Sequence, residues 1–87
     1  MSTALSLTVY EITIKLMEKD KFSKLVGENI RSQRENRGLS QEELAHRSGL
    51  YRTYVGHLEN GRYLPSSLVL WKLAKALKMP VQKLYPK

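Results

Sequence analysis

Between Gln41 and Asn60 the chain keeps a spacing that few folds can satisfy. Counted from Gln41 as step 1, Leu44 falls at step 4, Ala45 at 5, Gly49 at 9, Leu50 at 10, Val55 at 15 and Leu58 at 18. A small side chain at step 5 lets a second helix cross close to the first, and a glycine at step 9 can take the positive φ of a tight turn. The apolar residues at 4, 10, 15 and 18 hold the two helices together and against a bundle, leaving the opposite face of the second in solvent. Ser40-Gln41-Glu42-Glu43 is a capping box, so the first of the pair starts at Gln41.

The flanking punctuation also reads as short helices. Leu25, Val26 and Ile30 recur at helical spacing up to Arg37, with Gly38 as the stop, which predicts a helix over 23–37. The second helix of the pair runs from Arg52 to Asn60 and ends at Gly61. After the Arg62-Tyr63-Leu64-Pro65 loop, Pro65-Ser66 opens a fourth, with Leu70, Leu73, Ala74 and Leu77 inward and Met79-Pro80 ending it. A last turn, Val81 to Tyr85, is closed by Pro86. The expected fold class is therefore all-α, a five-helix bundle over 22–87 containing a helix-turn-helix, preceded by an extension over 1–21.

Composition narrows what such a bundle can do. A chain of 87 residues has room for one domain. Its 15 Lys and Arg against 8 Asp and Glu give +7, and the whole excess falls in 23–87, because residues 1–22 cancel. That balance suits either a solvated surface or a polyanion partner. The absence of cysteine excludes disulfides, thiolate zinc sites and cysteine nucleophiles. His46 and His57 have no partner at ligand spacing, so no metal or other cofactor is expected. No titratable pair is placed for acid–base or nucleophilic work, so no enzyme is expected. With no long apolar run and no signal-peptide pattern, the expected location is the cytoplasm.

The strings GLSQEELAHRSGL (Gly38–Leu50), YVGHLENG (Tyr54–Gly61) and LAKAL (Leu73–Leu77) make residues 22–85 resemble helix-turn-helix regulators of the phage repressor and Cro class, often called Xre. Within that class, GLYRTYV from Gly49 to Val55 is most similar to the controller proteins of restriction–modification systems. The resemblance implies a transcriptional regulator that binds near-palindromic double-stranded DNA as a homodimer, each recognition helix in a major groove. It implies base contacts from Arg52, Thr53, Tyr54 and His57, phosphate contacts from Gln41, Asn60 and Arg62, and a dimer seam from Met79, Val81, Leu84 and Tyr85.

Chemistry supports several of these roles. The Arg52 fork matches guanine O6 and N7, Thr53 can offer a methyl to thymine, and Gln41 can hold a phosphate oxygen at a helix N-terminus. Each has a plainer alternative: a surface Arg, a solvated Gln, a packed Tyr54, a solvated His57, an Asn60 that only caps its helix. Glu59 is expected to orient Arg62 or Arg52, Arg31, Arg34 and Arg37 to form a solvated face, and Trp71 to pack, within the bundle or in a dimer seam. No small-molecule ligand is expected, since the chain has no room for an effector domain. The competing class is an antitoxin-like protein-interaction module with the same bundle.

Residues 1–21 carry two conflicting periods. Tyr10, Ile12, Ile14 and Leu16 alternate as in a strand, whereas Leu5, Val9, Ile12 and Leu16 line one face of a helix. The β-branched content favours the strand, which would pair with a second subunit; a helix would add dimer packing instead.

Overall fold

The computed structural model describes the backbone of residues 2–87 and, within it, the side chains of residue 9 and of residues 11–87. Four α-helices and one 3-10 turn follow in order: α1 (Ser2–Asn36), α2 (Gln41–Ser48), α3 (Arg52–Glu59), α4 (Ser67–Ala76) and the turn Val81–Leu84. Among the described residues there is no strand, and no helix is long and apolar enough to cross a membrane.

Two expectations are corrected. The strand preferred for the extension is absent among the described residues, because residues 2–21 form the start of α1, a 35-residue helix. A lone strand would leave its backbone groups unpaired, whereas adding turns to a helix already anchored by packing needs no new nucleus. Leu5 and Tyr10, which carried part of each period, lie outside the described side chains. The fifth helix is also absent: Pro80 and Pro86 leave too few residues between them, Tyr85 is extended (φ −74°, ψ 149°), and only a 3-10 turn closes.

The capping box forms as expected. Ser40 Oγ accepts from the Glu43 backbone N–H at 3.0 Å while the Glu43 carboxylate accepts from the Ser40 N–H at 3.0 Å. All four α-helices then end in one motif, with a left-handed residue followed by a bond reaching back five residues. At α2 the left-handed residue is Gly49 (φ 70°), with the Leu50 N–H donating to the Ala45 carbonyl at 2.9 Å. At α4 a lysine takes that place: Lys78 has φ 55°, and the Met79 N–H donates to the Ala74 carbonyl at 3.0 Å. The fourth helix thus stops before the Met79-Pro80 pair credited with ending it.

The core comprises Val26 and Ile30 of α1, Leu39, Leu44 and Ala45 around α2, Val55 and Leu58 of α3, Leu70, Leu73, Ala74 and Leu77 on or ending α4, and Leu84. Gly27 lets α1 and α3 meet backbone to backbone: a Cβ there would collide with the Leu58 carbonyl oxygen and lie 2.8 Å from that of Glu59. Leu84 is wholly buried in the protomer, its own backbone held by Asn29 Nδ2 donating to the Leu84 carbonyl at 3.1 Å. It therefore has no surface for the dimer seam assigned to it.

Candidate nucleic-acid interface

The turn at Gly49 aims α3 so that Val55, Leu58 and Glu59 face inward. Arg52 and Thr53 are left exposed at its first turn, Gly56 and His57 half-buried at its second, and Asn60 exposed beyond its end. Among the described residues Arg52 and Arg62 have no salt-bridge partner, so both cations are available to a ligand. Asn60 does end the helix, as its alternative reading held, its backbone N–H donating to the Gly56 carbonyl at 3.1 Å.

Tyr54 and His57 are joined by a residue that the sequence places in a loop and gives no role. Tyr63, from the loop after α3, stacks on Tyr54 with ring centroids 6.0 Å apart and meets His57 edge-on at 5.3 Å. Half exposed itself, it widens this surface beyond α3. The aromatic loop residue was its only sequence signal. Leu16, Lys19 and Asp20 of α1 border a recess with Tyr54, Arg62 and Tyr63, so the N-terminal extension reaches the edge of the same surface.

Behind the surface lies one buried carboxylate. Glu59 is 4% exposed and accepts from Arg34 Nε at 2.7 Å, from Arg34 Nη2 and Gln41 Nε2 at 3.0 Å each, and from Arg31 Nε at 3.4 Å. Burial pushes its carboxyl up, but the Arg34 and Gln41 hydrogen bonds and the nearby guanidinium charges prevail and hold it below the ordinary Glu value. The Arg34 guanidinium is correspondingly held above its usual value by the Glu59 hydrogen bond, against the burial that would lower it. Arg34 Nη1 also donates to the Leu39 carbonyl at 2.8 Å, and Arg31 Nη2 to Asn60 Oδ1 at 3.3 Å.

One expectation fails here and another holds only in part. Glu59 orients Arg34, Arg31 and Gln41 rather than Arg62 or Arg52, because the close α1–α3 crossing at Gly27 brings α1's cations to it. The solvated face expected of Arg31, Arg34 and Arg37 holds only in part: Arg31 and Arg37 are exposed, but the Arg34 side chain is 11% exposed, and Arg37 Nε donates to the Leu77 carbonyl at 2.7 Å. Elsewhere Arg47, Lys72, Lys75 and Lys78 line a separate groove, with Lys75 Nζ 5.0 Å over the ring of Trp71. Trp71, expected to pack within the bundle or in a dimer seam, is 54% exposed in the protomer. No cluster of metal-ligating side chains occurs among the described residues.

Several known proteins are similar to this chain. The control protein C.SmaI of Serratia marcescens is 47% identical over 60 residues, 69% of this chain and 71% of that protein. An HTH-type transcriptional regulator of Sinorhizobium fredii, y4dJ, is 46% identical over 54 residues, 62% of this chain and 70% of that one. The crystal structure of the restriction-modification controller protein C.AhdI from Aeromonas hydrophila superposes with TM-score 0.70 at 42% identity, covering 71% of this chain and 94% of that one. The profile of the Helix-turn-helix family matches residues 30–84, from the last two turns of α1 to the closing 3-10 turn, and the chain belongs to that family.

Proposed function

We propose that this protein is a sequence-specific double-stranded DNA-binding transcriptional regulator that reads near-palindromic operators as a homodimer and controls restriction–modification genes. The observation that carries the reading is the solvent face of α3: Arg52 and Thr53 lie exposed at its start, with Gln41, Asn60 and Arg62 around it. Arg52 supplies a bidentate fork to guanine, Thr53 and His57 read further base edges, and Tyr54 contributes its hydroxyl edge beside Tyr63. Gln41, Asn60 and Arg62 take phosphate oxygens and fix the register. Half-buried Met79 and Val81 with exposed Tyr85 remain for the seam between protomers, Tyr85 resting 6.1 Å from Phe22. The names of the control protein C.SmaI and the controller C.AhdI support the assignment to restriction–modification control.

Selection of bound sequences from a random duplex pool tests this, because it reports site, symmetry and half-site spacing together. A two-fold site with half-sites about 10 bp apart is expected. Enrichment of no sequence, or tight binding to a partner protein instead of duplex, would replace the reading with the interaction-module alternative. Arg52→Ala should cost about 1–3 kcal/mol at one base position, whereas Gln41→Ala should weaken all sequences alike. Equal losses from Arg52→Ala on cognate and random duplex would remove the base-reading role.

A further inference from the structure

The buried carboxylate behind α3 sorts donors from acceptors. An amide side chain carries one acceptor oxygen and an NH2 with two donors, and a phosphate oxygen can only accept. Gln41 Nε2 donates one N–H to Glu59 Oε1 at 3.0 Å, an arrangement that holds the amide nitrogen toward the carboxylate and leaves the other N–H unspent. Turning the amide over would set its oxygen against an anion. Asn60 is held in the complementary way, its Oδ1 accepting from Arg31 Nη2 at 3.3 Å, and among the described residues no acceptor takes its Nδ2. Arg31 in turn is held by Glu59 at 3.4 Å. One carboxylate therefore sets the sense of both amides, and in both it leaves a donor free.

We infer that Glu59 is a positioning residue for DNA backbone binding, one that presents N–H donors of Gln41 directly, and of Asn60 through Arg31, to phosphate oxygens. The inference rests on the phosphate roles proposed above for those two amides. Glu59 itself touches no DNA. Its charge is matched by Arg34, so a phosphate nearby meets a neutralised carboxylate rather than a bare one. The amide lies across α3 at Gly56 without obstruction, since a Cβ there would still stay 3.6 Å from Gln41 Oε1.

Two double-mutant cycles on duplex affinity, read at a temperature where circular dichroism shows every variant folded, decide the matter. In the first, Arg31→Lys keeps the charge but loses the fork, and it spares the Arg34–Glu59 pair. Alone it should weaken binding to cognate and random duplex about threefold, and in an Asn60→Ala background it should cost almost nothing more. In the second, Glu59→Gln should weaken binding about tenfold alone and far less when Gln41 is already alanine. Losses that multiply in the cycles overturn the inference while leaving the phosphate contacts standing. If Gln41→Ala and Asn60→Ala each leave affinity unchanged, the phosphate reading falls and the inference with it. Should Glu59→Gln not fold, the Arg31 cycle decides alone, since that side chain is 46% exposed and its replacement keeps the core intact.

Discussion

Ile12 and Ile30 lie 18 residues apart on one helix, which is five turns, so they occupy the same face of α1. Ile30 is 0% exposed against α3 and the core, whereas Ile12 is 53% exposed. Val9 and Leu16, on Ile12's face, are as open. Residue type, helix and orientation are matched, and only the neighbouring elements differ. The comparison teaches that helical state and helical packing have separate causes in this molecule. Past Phe22 the helix is held by a bundle laid along one face; before it, the helix continues because each new turn bonds to the one already built.

Breaking the comparison at its packed end should have the largest effect. Ile30→Ala is expected to cost about 2–5 kcal/mol in urea unfolding. Ile12→Ala on the same face should stay within about 0.5 kcal/mol. Equal costs would mean that the extension is packed in solution as firmly as the body. Acid sharpens the contrast next. Glu59 has a folded pKa below its unfolded one, so its contribution is complete above the unfolded Glu value of about 4.3 and disappears as pH falls through the lower folded value. Below about pH 4 the wild type should lose stability more steeply than Glu59→Gln, as read from melting temperature against pH; parallel curves would show that this carboxylate does not drive acid unfolding. The smallest effect is a gain. Lys78 holds the left-handed place that glycine holds after α1, α2 and α3, so Lys78→Gly should stabilise by about 0.5–1 kcal/mol, lost strain outweighing added chain entropy.

Much of the bundle was legible because its determinants are local. The capping box at Ser40 and Glu43, the stop at Gly49 and the apolar steps through Leu58 each act on near neighbours, and the sequence shows neighbours directly. What stayed hidden depends on crossings. Gly27 reads as one glycine in a helix until α3 lies across it, and Glu59 reads as surface charge until that crossing delivers Arg31 and Arg34. Tyr63 needed the loop's path to bring it onto Tyr54 and His57. The extension was ambiguous for another reason: its apolar residues satisfy both periods, and continuity with the next helix, a property of neither pattern, decided between them.

That continuity has a mechanical consequence. Because α3 meets α1 backbone to backbone at Gly27, α3 and the extension are fixed to one rod. Val9 lies 18 residues, about 27 Å, from the crossing, so a rotation of about 10° about Gly27 would sweep it by about 5 Å. The extension is a pointer whose far end magnifies each tilt of α3.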